Sequence, residues 1–223
     1  MEMIADFDEK KGFFYENGFY LTSEVYRMGN ILSHYELYKK IINLPGDVVE
    51  LGVFKGSSLI QFATFRELLE NEKSRKIVGF DVFGKFPLAG KVASDVKFID
   101  EWNNKFEKEF VSKQDIYNSL EYKHISNVEL IEGDINHTID EYIGDNQHTR
   151  IALLHIDTDA YEPAKAGLEK LYDRVVRGGI IIFDDYASIE GETVAVDEFL
   201  ADKDYIISKL QLSHVKPSYI VKK

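Results

Sequence analysis

Apolar residues recur along this chain in two rhythms. In residues 22–43, "TSEVYRMGNILSHYELYKKIIN", Val25, Met28, Ile31, Leu32, Tyr35, Ile41 and Ile42 stand at helical spacing. Thr22 or Ser23 is placed to cap that helix, and "LPGD" breaks the chain after it. Beyond it come short apolar runs of strand length: "DVVEL", "KIVGFDVF", "NVELIEG", "IALLHI" and "GGIIIF". Between some of them lie the helical segments "GSSLIQFATFRELLE" and "AKAGLEKLYDRVV", and "GETVAVDEFLAD" follows the last. The end, "DYIISKLQLSHVKPSYIVKK", predicts two strands joined around Pro217.

Short apolar runs alternating with helices predict an α/β fold, with a mainly parallel sheet covered on both faces. The last two strands have no helix between them and should form an antiparallel hairpin at or near one edge. No repeat, low-complexity tract or linker interrupts the pattern, so residues 1–223 are expected to form a single domain, with 1–45 as an N-terminal helical segment. Residues 84–126 break the alternation. They carry Phe86, Phe98, Trp102, Phe106 and Phe110 among many charges, and such an insertion is either a lid over a site or extra scaffold.

Composition narrows the function. With 223 residues, 44% hydrophobic and 30% charged, the chain can bury a stable core unaided. The absence of cysteine excludes disulfides, zinc-thiolate sites and thiol nucleophiles. A net charge of −12 argues against a nucleic-acid partner, which needs clustered lysine and arginine. The start, "MEMIADFDEKKGFF", lacks a signal-peptide pattern, and no apolar run approaches the ~20 residues of a membrane span. A cytoplasmic protein with no membrane partner is expected.

"VVELGVFKGSS" is a strand, a turn and a helix start, with Gly52 and Gly56 bracketing Val53, Phe54 and Lys55. In a doubly wound fold this turn lies beside the point where ligands bind. A dinucleotide fingerprint needs glycines at 52, 54 and 57; the chain has Gly52, Phe54 and Ser57, which counts against NAD. Glu50 is placed to meet a cation or ammonium group, and Asp81 to accept hydrogen bonds from ribose hydroxyls. A nucleoside with a positive centre and no phosphates suits this turn, and S-adenosylmethionine is such a molecule. The alternative is a turn whose glycines serve packing alone, with Asp81 on the surface. Gly133 and Asp134 of "IEGDIN" either lie along the adenine on the same rim, or Asp134 caps a helix starting near Thr138.

The apolar run in "IALLHIDTDAYE" ends in Asp157 and Asp159, and that in "GGIIIFDDYA" ends in Asp184 and Asp185. If these strands are parallel neighbours, Asp157, Asp184 and Asp185 converge, and three hard oxygen ligands suit Mg²⁺. Asp159 is a catalytic candidate or a helix cap ahead of "YEPAKAGLEKL", with Pro163 in the first turn. His155, inside the apolar run, reads as a satisfied core histidine, and His214 as structural.

The segments "YRMGNILSHYELYKKI", "ELGVFKGSS", "GFDVFGKFP", "IEGD" and "HIDTDAYEPAKAGLEKLYDRVVRGGIIIFDDYASIEGETVAVDEF" together resemble the macrocin O-methyltransferase family, from about residue 22 onward. The resemblance implies a Rossmann-like class I methyltransferase fold, with a seven-stranded sheet and an antiparallel C-terminal strand. It implies S-adenosylmethionine- and Mg²⁺-dependent methylation of a hydroxyl on a sugar or glycosylated natural product. Carried over by position, the metal ligands fall on Asp157, Asp184 and Asp185. The cofactor contacts fall on Glu50, Gly52, Gly56, Asp81 and Asp134, with Val53, Phe54, Ser57, Gly133 and Asp157 beside them. Two departures stand out: Ala160 where catechol-type enzymes have a lysine base, and Thr158 where the antibiotic enzymes carry glycine. Asp159 is then the candidate base, with His155 and His137 behind it. The competing functions are a metal-dependent glycosyltransferase using the D-x-D of Asp157–Asp159, a catechol-type enzyme acting on a phenol, and a binding module without catalysis. A homo-oligomer is compatible with all of these.

Overall fold

Strands β1 (Asp47–Leu51) and β4 (Ile151–Ile156) run side by side in the middle of the sheet, in register from Val48 opposite Leu153 to Leu51 opposite Ile156. In this computed structural model the described residues are 8–87, 90–106, 110–212 and 217–223. With β2 (Ile77–Asp81), β3 (Val128–Glu132), β5 (Val175–Phe183), β6 (Ser208–Lys209) and β7 (Ser218–Val221) they form a seven-stranded sheet in the order β3-β2-β1-β4-β5-β7-β6. The first five strands are mutually parallel, while β7 is antiparallel to β5 and to the edge strand β6, as the hairpin expectation required.

Period-two alternation divides the strand side chains between two cores. Val48, Ile77, Leu153, Ile180 and Ile182 face α2 (Val25–Lys39), α3 (Ser57–Leu69) and α5 (Lys113–Tyr122), meeting Leu37, Leu59, Phe62 and Ile116. Val49, Leu51, Val78, Leu154, Ile156, Ile181 and Phe183 face α6 (Ile135–Asp145), α7 (Tyr161–Leu171) and α8 (Glu190–Leu200). Nearly all of these are fully buried, and each such aliphatic or aromatic side chain is worth roughly 1.5–3 kcal/mol over its exposed state.

Two elements differ from the sequence expectation. The helix expected over 164–176 begins earlier and ends at Leu171, and a 3₁₀ turn over Tyr172–Arg174 leads directly into β5. Val175, a β-branched residue, already pairs with Ile151 and belongs to the sheet. Residues 84–126 divide into two helices with different surroundings. α5 is the crossover between β2 and β3 and sets Ile116 and Leu120 in the core, whereas α4 (Ala93–Phe106) lies beside α8. The N-terminal helical segment expected over 1–45 holds a separate helix before α2, α1 (Gly12–Thr22), which buries none of its residues and leaves Phe13, Phe14, Tyr20 and Leu21 exposed. His214 lies outside the described residues. Among those described, no helix is long and apolar enough to cross a membrane.

Candidate active site

The sheet order reverses between β1 and β4, since β1 connects outward to β2 while β4 connects to β5 on the other side. The carboxyl ends of these two strands therefore open a crevice. The turn after β1 approaches the turn after β4 so closely that a Cβ at Gly52, whose φ is +88°, would collide with the Asp157 carbonyl oxygen. Only glycine fits there.

Asp81, at the end of β2, holds the β1 turn from the other side. Its Oδ2 accepts hydrogen bonds from the Val53 and Phe54 N–H groups, both at 2.8 Å, and its Oδ1 accepts from the Phe83 N–H at 2.6 Å. These bonds accompany left-handed backbone at Phe54 and Phe83, each with φ 48°. The sequence assigned Asp81 to a ligand or to the surface; the fold also makes it the anchor of the turn.

Two clefts meet here. The first, of about 810 Å³, is lined by Gly52, Phe54, Asp81, Asp134, Asp157 and Asp159, among others, and walled by Trp102. The second, of about 1670 Å³, lies on the α2 side, with Arg27, Asn30, His34, Ser57, Gln61 and Asp184 in its lining. Phe54, Trp102 and Asp157 belong to both. The partition is aromatic: Phe54 packs on Trp102 at 5.2 Å and on Phe106 at 5.4 Å between ring centroids. Trp102 and Phe106 come from α4. That helix is fastened by Asp95, whose Oδ2 accepts a 2.8 Å bond from the Tyr161 N–H at the start of α7. Glu162 accepts bonds from the Gly90 and Lys91 N–H groups and ties the approach to α4 to the same place.

Asp134 caps α6 through the Asn136 N–H at 2.9 Å, as one of its two alternatives had it, and also lines the first cleft. Asp159 does not cap α7; the cap position is Ala160, with no side-chain bond, and Asp159 adopts φ 54° in the cleft wall. Val53 lines the second cleft. Glu50, Gly56 and Gly133 line neither cleft, and His137 stands exposed on α6.

Strand alternation explains where the remaining carboxylates point. Asp184 continues the Ile180–Ile182 face toward α2, and Asp185 continues the Ile181–Phe183 face toward α8. Oxygens of Asp157, Asp184 and Asp185 nevertheless come within 4.8 Å of one another. Glu192, in the first turn of α8 and fully buried, joins the two loops that carry them. Its Oε1 accepts from the Asp185 N–H at 3.0 Å and its Oε2 from the Thr158 N–H at 3.3 Å. Sequence reasoning gave Glu192 no role; nothing in the sequence separates it from Glu190, the other carboxylate in the first turn of α8.

Behind the carboxylates lies a buried polar chain. Glu50 and His155 are register partners on β1 and β4, and Glu50 Oε1 accepts from His155 Nδ1 at 2.9 Å. His155 Nε2 stands 3.6 Å from Asp184 Oδ1, and His34 Nε2, from α2, stands 3.7 Å from the same oxygen. Burial alone would push the His155 imidazole down; Asp184 and Glu50 beside it more than offset this, leaving its pKa well above the ordinary histidine value. Burial likewise opposes the charged form of Asp184, but the His155 and His34 imidazoles hold its carboxyl far below the usual range. Asp157 is pushed well above that range by burial and by the Asp184 charge, and Glu192 by burial and by Asp159 and Asp184. The oxygens of Asp157, Asp184 and Asp185 could together hold a cation. His155 is thus a core histidine with a partner, and also a neighbour of the carboxylate cluster.

A family model, macrocin O-methyltransferase (TylF), matches residues 27–213. The chain belongs to the macrocin O-methyltransferase family. Among solved structures, CalS11, a calicheamicin methyltransferase, is similar with a TM-score of 0.72 and 26% identity, covering 98% of this chain and 88% of that one. The apo structure of CalS11, described as a TDP-rhamnose 3′-O-methyltransferase of calicheamicin biosynthesis, gives 0.68 and 27%, covering 98% and 89%. NovP, an O-methyltransferase, shares the fold with a TM-score of 0.74 at 23% identity, covering 87% of this chain and 80% of that one. Demethyldecarbamoylnovobiocin O-methyltransferase of Streptomyces niveus is 29% identical over 170 residues; the match covers 73% of this chain and spans 61% of the length of that relative. The sheet is accordingly that of a Rossmann-like class I methyltransferase, and the family leaves the D-x-D glycosyltransferase reading without support.

Proposed function

We propose that this member of the family is an S-adenosylmethionine- and divalent-cation-dependent O-methyltransferase acting on a sugar hydroxyl of a glycosylated natural product or its precursor. The observation that carries this reading is the pair of clefts that share Asp157, Phe54 and Trp102. One wall in common lets two small molecules meet at a single point, as group transfer demands.

The residues suit both cofactors. The first cleft offers Asp81 and Asp134 to the hydroxyl-rich and adenine ends of a nucleoside, beside aromatic and proline walls. The Asp157, Asp184 and Asp185 oxygens form a hard donor set suited to Mg²⁺, and Asp184 Oδ1 is buried with no hydrogen-bond partner. When bound, S-adenosylmethionine supplies an electrophilic methyl group for in-line displacement, and the cation lowers the pKa of the acceptor hydroxyl and fixes its position.

The chain's own residues do the rest. Asp157, Asp184 and Asp185 would hold the cation, and Glu192 keeps their two loops together. Asp159, in the wall of the first cleft, takes the hydroxyl proton on its carboxylate. Phe54 and Trp102 exclude water where the clefts join, with α4 acting as a lid. The acceptor occupies the second cleft, where Tyr26, Arg27 and Asn30 offer stacking and hydrogen bonds suited to a glycosyl group.

The test is calorimetric titration of S-adenosylmethionine and its demethylated product into metal-free protein, repeated with Mg²⁺. Mass spectrometry of methyl transfer to a panel of glycosides and nucleotide-sugars follows. Micromolar binding and a Mg²⁺-dependent mass gain of one methylene unit are expected. Absence of binding under both conditions would overturn the reading.

A further inference from the structure

Three buried atoms converge beside the all-carboxylate set. They are His34 Nε2, His155 Nε2 and Asp184 Oδ1, and none has a hydrogen-bond partner. The three lie within 4.8 Å of one another, and both histidines are at most 1% exposed. Burying one such group without a partner is costly, and burying three around one point is not how a packed core is ordinarily filled.

The other side of each ring explains why the Nε2 atoms face inward. His155 Nδ1 is engaged by Glu50 Oε1 at 2.9 Å, and His34 Nδ1 by Gln61 Oε1 at 3.0 Å. Each acceptor can take an Nδ1 proton from its ring, which turns both Nε2 atoms toward Asp184 Oδ1. A carboxylate or amide oxygen behind the ring is the arrangement that orients histidines toward a metal. The rings stand nearly perpendicular at 5.1 Å, and Phe62 packs against both, giving the cluster one apolar wall.

Two occupants could sit between two ring nitrogens that face a carboxylate: protons or a metal ion. A protonated imidazole bonded to a carboxylate would stand at about 2.7–2.9 Å. The observed separations are 3.6 and 3.7 Å. Around a tetrahedral ion with bonds of about 2.0–2.1 Å, ligand atoms stand about 3.3–3.4 Å apart, closer to what is seen. The spacing favours the ion.

We propose that His34, His155 and Asp184 form a nitrogen-containing metal site for a first-row transition ion of the Zn²⁺ or Co²⁺ class, sharing Asp184 with the carboxylate set. Imidazole nitrogen selects such ions, whereas oxygen-only sets suit Mg²⁺. The remaining coordination position opens to the second cleft, whose lining includes His34, Asp157 and Asp184 and gives the ion a way in. The site stands on these atoms alone and requires no methyl transfer.

The test uses the full chain stripped with EDTA and titrated with Co²⁺, read by its visible ligand-field spectrum, alongside X-ray absorption of the Zn²⁺-loaded protein. Expected are intense bands of tetrahedral type and imidazole scattering from two ligands. His34→Ala should abolish the bands and weaken Co²⁺ binding by more than 100-fold; Gln61→Leu, which keeps both histidines, should weaken it by about 10–100-fold. Circular dichroism checks that each variant is folded. Weak octahedral bands unchanged in His34→Ala, with an oxygen-only shell in the wild type, would overturn the proposal and leave the carboxylate site standing. No Co²⁺ binding at all would overturn both, and S-adenosylmethionine titration would still report separately on the first cleft.

Discussion

The carboxylate of Glu192 accepts the backbone N–H of Asp185 at 3.0 Å, across a turn and from the start of the following helix. Through its other oxygen it reaches Thr158, so one side chain sets the spacing of two loops that carry candidate metal ligands. Glu192→Ala should leave two buried N–H groups unpaired, at about 1–3 kcal/mol each. Lower melting temperature together with Mg²⁺ affinity reduced by about 10–100-fold is expected. Stability lost with Mg²⁺ affinity intact would confine Glu192 to packing.

Asp184→Asn removes the charge shared by both proposed cation sites. Mg²⁺-dependent turnover should disappear while S-adenosylmethionine affinity, measured by calorimetry, stays nearly unchanged. Full activity in this variant, or in excess EDTA, would sink the metal reading.

Asp81→Ala should weaken S-adenosylmethionine binding by roughly 1.5–3 kcal/mol, the worth of a charge-assisted bond. The structure adds a second consequence. Three N–H groups in the turns at Val53, Phe54 and Phe83 lose their acceptor, so the variant should also melt earlier. An unchanged dissociation constant would place the ribose elsewhere.

Asp159→Asn preserves shape but removes the proton acceptor. Turnover should fall by about 10²–10⁴-fold, with cofactor binding retained. Wild-type kcat would show that another group takes the proton.

The pH dependence of stability follows from the buried carboxylates. Asp157 and Glu192 titrate above their ordinary values of 3.8 and 4.5, so above that range the folded chain holds protons that the unfolded chain has released. Stability of the metal-free protein is then lost as pH rises. His155 acts in the same direction: its stabilisation is present below 6.5 and is lost as pH rises through its raised folded value. Asp184 has the opposite sign, its contribution being lost as pH falls below 3.8. Thermal melts in EDTA should therefore decline from weakly acidic to alkaline pH, and Mg²⁺ should raise the melting temperature most at the alkaline end. Equal slopes with and without Mg²⁺ would contradict this.

The strands and their terminal aspartates were legible because a run of buried β-branched residues announces both a strand and the point where it stops. Asp157 and Asp184 directly follow Ile156 and Phe183, the last register partners of β4 and β5, so parallel pairing sets them side by side. Glu192, His34 and Gln61 were not legible in this way. Their partners lie far along the chain, and nothing local distinguishes a buried polar group in an apolar helix face from an exposed one. Glu50 was assigned to the cofactor from its place before the glycine turn, yet strand alternation turns it toward α2 and onto His155. The bounds of helix α1, inside the expected N-terminal helical segment, were not legible for a different reason: with none of its residues buried, it carries no periodic stripe to read.

The chain contains a single tryptophan, and Trp102 stands in the wall shared by the two clefts. One indole fluorophore thus stands where the proposed donor and acceptor clefts meet. Its emission would register the arrival of either molecule without any label, and stopped-flow traces could order the two events in time.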